Sequence, residues 1–148
     1  MKYRIATNED IEILAEMNME LCKDENHKNQ FKSKNWFQER MATFLSSSYT
    51  AVIFELKDSP IAYALFVNHA EHVDTIHLRQ IFVRGSVRRQ GIGKNAMQIL
   101  LNKVWPKGRR ITVESLSNNH KALSFYKSLG FTDYSVELEL KGNDIIIN

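Results

Sequence analysis

Two closely spaced glycines followed by an amphipathic run constrain this chain more than any other feature. The segment Arg88–Lys94 reads RRQGIGK, and its glycines let the backbone turn tightly and approach a ligand without a Cβ atom in the way. The residues that follow place apolar side chains on one face of an α-helix: Gly93, Ala96, Met97, Leu100, Leu101 and Val104. A helix that begins here presents free N–H groups and a partial positive charge. The pattern therefore predicts a binding site for a ligand with several phosphates.

Two phosphate-binding motifs fit this segment poorly. A Walker loop requires glycine where this chain has Arg88, and serine or threonine where it has Asn95. The dinucleotide fingerprint fits better, because residues 91–96 read G-x-G-x-x-A and Glu114 ends a strand-like run near the place of the ribose-binding acid. That fingerprint follows a strand directly, whereas here residues 84–90 intervene after Val83. A dinucleotide-binding enzyme is therefore the weaker alternative.

A third motif fits at three places along the chain. Arg88, Gly91 and Gly93 match the R/Q-x-x-G-x-G/A loop that binds acyl-CoA in the GCN5-related N-acetyltransferase (GNAT) superfamily. Upstream, Leu78–Val83 resembles the fourth strand of that superfamily. Downstream residues resemble its second signature, N-x-x-A-x-x-x-Y followed by a G-F pair: Asn119, Ala122, Phe125, Tyr126, Gly130 and Phe131. The resemblance is specific over about Ile76 to Tyr134, where the matches keep the superfamily's order and spacing.

The resemblance implies an α/β fold with acetyl-CoA as co-substrate. A single N-acetyltransferase domain would cover residues 1–148, with a mixed central sheet splayed between strands 4 and 5 and about four flanking helices. The pantetheine arm would lie along strand 4, the pyrophosphate on amides of the loop, and Asn119 would hold the arm from the far side. The cofactor-binding residues implied in this way are Ile81, Phe82, Val83, Arg88, Arg89, Gln90, Gly91, Ile92, Gly93, Lys94, Asn119, Ala122 and Tyr126.

The resemblance also implies direct attack of an amine on the thioester within a ternary complex. Tyr126 matches the residue that protonates the departing thiolate, and a neutral phenol can donate that proton at pH 7. The N–H of Val83 would meet the oxyanion. Many members carry a basic carboxylate on strand 4, where this chain has Arg79 and Gln80. Three other residues stay open as the base, and an acceptor that arrives neutral would need none: Glu114, Glu25, and His77 acting through water. A non-catalytic module that senses acyl-CoA would also keep the loop without a base, and it is the first alternative function.

The acceptor is a small-molecule or peptide amine whose identity the sequence does not give. Asp24 and Glu25 lie in the polar segment Cys22–Lys34, which is either a solvated connection or an acidic site that attracts a cationic amine. Gln80 is a polar residue on a strand whose Ile76, Leu78 and Phe82 are expected to share one face. Its amide either satisfies backbone groups where the sheet opens or lines a cleft, so it is the third candidate for binding the acceptor.

The order of predicted elements is β-α-α-β-β-β-α-β-α-β, as expected of helices placed over a central sheet. Thr7 and Asp10 resemble a capping box that starts the first helix. Alternation predicts strands at Tyr3–Ala6, Tyr49–Leu56, Ile61–Val67, Thr75–Val83, Arg109–Leu116 and Thr132–Leu140, with a turn at residues 57–60. Helical periodicity predicts a first helix that ends at about Leu21, a second over Asn35–Leu45 and a last one that ends at Gly130. The residues from Gly142 are expected to form a loose end.

Composition limits the classes of partner. A formal charge of +3 on 148 residues is too small and too evenly spread to indicate nucleic-acid binding. No apolar run is long enough for a membrane, and the N-terminus lacks the apolar core of a signal peptide, so we expect a cytoplasmic protein. Cys22 is the only cysteine and is expected to pack as a small apolar residue. His69, Glu71 and His72 lack a third metal ligand nearby, and we predict no metal site. A homodimer is common in such folds, and no sequence feature decides it.

Overall fold

A five-stranded mixed sheet forms the centre of the computed structural model, which describes residues 1–68 and 74–142. The strands are β1 (Lys2–Ile5), β2 (Thr50–Leu56), β3 (Ser59–Asn68), β4 (Thr75–Val83) and β5 (Arg110–Val113). The helices are α1 (Ile11–Asp24), α2 (Lys34–Leu45), α3 (Ile92–Ile99) and α4 (His120–Ser128). The strands lie in the order β1-β2-β3-β4-β5, with antiparallel pairing except between β4 and β5, which are parallel.

The chain divides into two units by its internal contacts, Met1–Glu114 and Ser115–Asn148. The first unit contains the whole sheet and α1, α2 and α3; the described part of the second contains α4 and the segment up to Gly142. No helix in the described ranges is long and apolar enough to cross a membrane. The predicted single domain over residues 1–148 stays a prediction.

The core of the first unit lies between the sheet and the helices α1 and α2. The amphipathic face of α1 supplies Leu14, Ala15, Met17 and Cys22, and α2 supplies two larger side chains, Phe37 and Met41. These pack against sheet residues that point to the same side: Ala51, Ile53, Tyr63, Leu65 and Phe82. Burial of Cys22 is as predicted for a small apolar side chain.

The predicted capping box before α1 is formed. The Thr7 hydroxyl oxygen accepts a hydrogen bond from the Glu9 N–H at 3.3 Å, and Asp10 Oδ2 accepts one from the Thr7 N–H at 2.8 Å. Asp10 is buried and also accepts from an Arg4 guanidinium nitrogen at 2.8 Å. This ion pair lowers the pKa of the Asp10 carboxyl, mainly through the hydrogen bond from Arg4. The first strand and the first helix are therefore joined by a charge-assisted hydrogen bond.

The hairpin between β2 and β3 turns in two residues. Lys57 and Asp58 have φ angles of 51° and 63°, and positive φ at both central positions gives the tight hairpin turn that matches the strand twist. The four-residue turn predicted for residues 57–60 is therefore too long, because Ser59 and Pro60 already pair with β2.

One extra residue interrupts the pairing of β4 with β3. Leu65 lies opposite Gln80 and Phe66 lies opposite Leu78, so Arg79 has no partner on β3. Such an extra residue is a β-bulge. It bends the strand and disrupts the alternation of its side chains.

After the bulge, the side chains of β4 lie on the opposite face of the sheet from the one that strict alternation would give. Phe82 lies opposite Tyr63, in the core under α1 and α2. Leu78 lies opposite Phe66, whose ring packs edge-on against Trp105 after α3, on the other face of the sheet. The prediction that Ile76, Leu78 and Phe82 share one face is therefore wrong, because it assumed strict alternation through residue 79.

The predicted last strand, Thr132–Leu140, is not formed in the described residues. Its alternating apolar side chains are exposed to 82, 82, 88 and 67% for Tyr134, Val136, Leu138 and Leu140. Alternation gives the phase of the side chains, but a strand also needs a neighbouring backbone to supply its hydrogen bonds. Two predictions concern residues outside the described ranges. They are the loose end after Gly142 and the absence of a metal site at His69, Glu71 and His72.

Asp10→Asn is expected to lower the free energy of unfolding at pH 7 by about 1–2 kcal/mol, because the buried charge-assisted bond to Arg4 is lost. A lowered pKa in the folded state means that the carboxylate stabilises the protein above its ordinary pKa of 3.8 and loses this effect as the pH falls through the lower value. Urea unfolding of both proteins should show that the difference between their free energies of unfolding decreases below pH 3.8. Asp58→Asn, in an ion pair whose side chains are about 80% exposed, is the control and should change stability by less than about 0.5 kcal/mol.

Candidate active site

The second half of β4 has one open edge. The Arg84 N–H donates to the Ile61 carbonyl of β3 at 2.8 Å, and successive residues of a strand point their N–H groups in opposite directions. The N–H of Val83 therefore points away from β3, as does that of Ile81. On that side β5 pairs with β4 only from Thr75 to Leu78. The backbone of residues 81–83 thus faces an opening that no strand fills in the described part of the chain.

The glycine loop ends at the start of α3. Gly91 is the N-cap residue in the left-handed conformation, with φ 73°, and Arg89 also has a positive φ of 67°. The first hydrogen bond of the helix runs from the Asn95 N–H to the Gly91 carbonyl at 3.0 Å. The amides of residues 92–94 therefore precede the helical ladder and are available to an anion.

Space above the loop matches this arrangement. A Cβ atom built on Gly91 would meet no atom within 4 Å. The concave surface formed by the loop and the first amides of α3, which we call the cradle, is therefore open at Gly91. Open amides, a helix N-terminus and the free edge of β4 fit the diphosphate and amide-containing arm of CoA. Arg89 and Lys94 are exposed and can add positive charge.

Acidic residues of α1 hold the segment that leads from β4 into the loop. Glu16 and Glu20 lie one turn apart and both face Arg84, at 3.7 and 3.6 Å from its guanidinium. Glu20 also accepts a hydrogen bond from the Gly85 N–H at 3.0 Å. Asp24, one further turn along, is paired with Arg88. We call Glu16, Glu20 and Asp24 the α1 acidic row.

Arg88 is engaged by the protein on three sides. Besides Asp24, its Nε donates to the Val83 carbonyl at 2.9 Å, and its guanidinium carbon lies 5.3 Å from the centre of the Phe82 ring. The first basic residue of the motif therefore ties the loop to the end of β4. Asp24, expected near the acceptor, lies against the glycine loop through this pair.

A polar network is buried between α1, β3 and β4. The Asn18 amide donates to the Tyr63 hydroxyl at 3.0 Å and to Gln80 Oε1 at 3.3 Å, and the Tyr63 hydroxyl donates to the same Gln80 oxygen at 2.9 Å. Arg40 of α2 donates to Asn18 Oδ1 at 3.3 Å. Asn18 and Tyr63 are fully buried, so each bond satisfies a group that would be costly to leave unpaired. We call Asn18, Tyr63 and Gln80 the amide–tyrosine network.

Burial controls the protonation of the groups beside this network. It raises the pKa of the Tyr63 hydroxyl far above its ordinary value and raises the pKa of the Cys22 thiol, so both groups are neutral at pH 7. Glu25 is exposed, and partial desolvation of its carboxyl still raises the pKa of that group. Glu25 is close enough to Tyr63 and Cys22 for its charge to act on both.

The second unit carries the remaining signature residues. Asn119 is the N-cap of α4, and its side-chain oxygen accepts from the Ala122 N–H at 3.2 Å. Tyr126 is partly buried, with its ring 5.4 Å from that of Phe125 and 5.6 Å from that of Phe131. Gly130 follows α4 with a φ of 100°, as expected of a helix C-terminus.

The other candidates for a base differ in their surroundings. Glu114 is exposed just after β5. His77 is partly buried, and its Nδ1 lies 2.8 Å from the hydroxyl oxygen of Thr112 on β5. No group of three or more potential metal ligands occurs among the residues that the structure describes.

Sequence reasoning found the loop and strand 4 and missed what supports them. The α1 acidic row could have been noticed, because residues 16, 20 and 24 are acidic at a spacing of four. The roles of Asn18 and Tyr63 had no such signal, because a single amide or tyrosine within an apolar pattern does not reveal its partners. Gln80 contacts side chains of two other elements, which neither reading of its amide included.

Comparison with known proteins agrees with this geometry. The family model described as "Acetyltransferase (GNAT) family" matches residues 11–131. No curated protein matches the sequence. Similar solved structures include a possible acetyltransferase from Clostridium difficile 630, with a TM-score of 0.73 and 15% identity over 99% of this chain and 98% of that one.

Two further structures have the same fold. An aminoglycoside N-acetyltransferase, AAC(6')-Iy, solved in complex with CoA, has a TM-score of 0.75 and 16% identity over 95% of this chain and 93% of that one. A ribosomal-protein-alanine N-acetyltransferase from Brucella melitensis biovar Abortus 2308 has a TM-score of 0.72 and 15% identity over 95% and 99% of the two chains. The family match covers most of the sequence, and the sheet opens at β4 beside a glycine loop as that fold requires: the chain belongs to the acetyltransferase (GNAT) family.

Proposed function

We propose that this chain transfers an acetyl group from acetyl-CoA to a primary amine, by direct attack within a ternary complex. One observation carries the proposal: the open backbone edge of β4 runs into a glycine loop whose helix amides are free. The family model spans residues of both units, which supports a single catalytic domain over residues 1–148.

Acetyl-CoA would supply the acetyl group as a reactive thioester. The chain's part is to hold it. Phe82 pairs with β3, so the backbone groups of Ile81 and Val83 on either side of it would line the arm, and amides of residues 89–94 would bind the diphosphate. Arg88 would hold the loop against β4, because its guanidinium is already bonded to Asp24 and Val83. Asn119 uses its side-chain oxygen in the helix cap, so its NH2 group is the part offered to the arm, beside Ala122.

Two groups would lower the barrier to acyl transfer. The N–H of Val83 points away from β3 and would donate to the carbonyl oxygen as negative charge develops there. The Tyr126 hydroxyl would give a proton to the departing thiolate.

Glu25 is our choice for the base that takes the proton from the ammonium group. Its raised pKa is in the useful direction, because a carboxylate that binds a proton more tightly is a better base near neutral pH. It also lies near the buried network that reaches β4 through Gln80. Glu114 and His77 are the alternatives. Asp24 would strengthen the negative potential around Glu25 while it holds Arg88.

The names of the similar enzymes leave the acceptor open. One is named for aminoglycosides and another for a ribosomal protein, so the shared fold accommodates both a small-molecule and a protein amine. The acceptor of this chain has to be inferred from its own side chains.

Acetyl-CoA is expected to raise the melting temperature, and Gly91→Glu is expected to abolish the rise. A ligand at 100 times its Kd stabilises the folded state by about 2.7 kcal/mol, and a glutamate at residue 91 would place a side chain and a negative charge in the cradle. Gly108→Glu is the matched control, because Gly108 also has a positive φ, of 80°, and open space around it. A rise with NADH in place of acetyl-CoA would favour the dinucleotide alternative.

Tyr126→Phe is expected to lower kcat by about 100-fold or more, because the phenylalanine ring keeps its contacts but has no proton to give. The KM for acetyl-CoA should stay within about twofold in a thiol-release assay. Tyr134→Phe removes a hydroxyl from an exposed tyrosine of the same unit and is the control. Unchanged kcat in Tyr126→Phe would contradict the assignment, and binding of acetyl-CoA with no turnover of any amine would favour the sensor module.

Glu25→Gln is expected to lower kcat/KM for the acceptor by about 10-fold or more and to remove the acidic limb of its pH profile. That limb should lie above 4.5, the ordinary pKa of a glutamate, because desolvation raises the pKa of Glu25. Glu114→Gln and His77→Asn serve as comparisons. If either of them removes the limb while Glu25→Gln keeps it, the base is that residue.

A further inference from the structure

Three cations surround an aromatic surface formed by Trp36, Phe44 and Tyr49. Arg40 lies 5.4 Å from the Trp36 ring and 5.7 Å from the Phe44 ring, and Arg79 lies 5.1 Å from Phe44 and 5.9 Å from Tyr49. The Lys32 ammonium lies 5.7 Å from Trp36. We call Lys32, Arg40 and Arg79 the cationic cluster. All three belong to the first unit, on the face of the sheet that α1 and α2 cover.

None of these cations forms an ion pair with a carboxylate in residues 1–68 or 74–142. This contrasts with Arg84 and Arg88 nearby, each of which is paired with the α1 acidic row. Arg40 is partly buried, and its polar neighbours are the Asn18 amide and the neutral Cys22 thiol. Glu25 acts on the same thiol but forms no ion pair with Arg40 in the described part of the chain, so the partly desolvated guanidinium can take an anion as its ion-pair partner.

Every oxygen of the amide–tyrosine network next to Arg40 already accepts at least one hydrogen bond. Asn18 Oδ1 accepts from Arg40, the Tyr63 oxygen accepts from Asn18, and Gln80 Oε1 accepts from both Asn18 and Tyr63. What the network still offers is the NH2 group of Gln80, which has no acceptor among the described residues. Together with the remaining N–H groups of Arg40 and Arg79, this makes a surface rich in donors and poor in acceptors.

The bulge places this surface next to the reacting end of β4. Because Arg79 is an extra residue, both its side chain and that of Gln80 reach the α1–α2 face, toward Phe44 and Asn18 respectively. Arg79 is two residues before Ile81, so its backbone lies about 7 Å along the strand from the proposed start of the pantetheine arm.

We propose that the acceptor is a small amine that also bears a carboxylate, and that the cationic cluster and the NH2 group of Gln80 bind this carboxylate. The inference rests on the proposed acetyl transfer and names its substrate class. Glu25, whose charge acts on Tyr63 and Cys22 of this region, would take the proton of the amino group. The same cluster would repel acceptors with several positive charges, such as polyamines and aminoglycosides.

A paired substrate series tests the charge directly. Thiol release with acetyl-CoA is measured for free amino acids and dipeptides, for their C-terminal amides, and for spermidine and kanamycin. Each amide keeps the amine and side chain of its partner and lacks only the negative charge. At least one free carboxylate should have a kcat/KM 10-fold or more above that of its amide, and above those of the polycations.

Arg79→Gln and Arg40→Gln are expected to raise the KM for the carboxylate acceptor about 10-fold or more and to leave the KM for acetyl-CoA within about twofold. Arg79→Glu should reverse the preference, so that the amide becomes the better of the two. Lys103→Gln removes an exposed positive charge next to α3 and is the control, with both KM values unchanged. Because Arg79 is exposed and unpaired in the bulge, its variants are expected to fold, as acetyl-CoA binding will verify.

The inference fails if acetyl-CoA binds and every carboxylate acceptor is inactive, if amides or polycations are acetylated as well as free carboxylates, or if the arginine variants leave the acceptor KM unchanged. The last two results would leave acetyl transfer itself intact. If acetyl-CoA neither shifts the melting temperature nor supports thiol release with any amine, the proposed function fails instead.

Discussion

Backbone that is hydrogen-bonded on both sides cannot bind a ligand. The position of the open edge in this protein is therefore set by the residue at which β4 stops pairing with β5. Parallel contacts with β5 end at Leu78, and the bulge at Arg79 follows immediately. Within the described residues, only β3 pairs with the strand from Ile81 to Val83, so one row of amides is left open there. The open row is stable because the antiparallel neighbours β2 and β3 are long and their core side is covered by α1 and α2.

The loop after this strand needs support that its own sequence does not supply. It contains positive φ angles at Arg89 and Gly91, and neither it nor the start of α3 has a side-chain cap. The α1 acidic row provides the support through Arg84, Gly85 and Arg88. The first helix therefore acts on both sides of the proposed chemistry, since its opposite flank carries Asn18 of the buried network.

Local features of the sequence predicted the fold and the glycine loop well. The capping box, the glycine loop and the apolar face of α3 each depend on residues within one or two helical turns, and the structure confirms these elements. The bulge was not predictable, because it depends on how β3 and β4 pair, and its effect was to reverse the expected face of Phe82. The strand expected over residues 132–140 failed for a related reason: its alternation is real, but pairing partners are not encoded locally. The proposed acceptor side combines residues from α1, α2, β3 and β4, which lie far apart in the sequence and meet in the folded chain.

The bulge at Arg79 also has a consequence for how such a protein can change over generations. Arg79 pairs with no residue of β3, so a substitution there alters the surface of the proposed acceptor site while the register on either side is kept. Most positions of a central strand lack this freedom, because a new side chain there must satisfy a packed core. If the proposed acceptor site is correct, selection for a new acceptor can change this one position by single-codon steps while the glycine loop and the open edge of β4 stay the same.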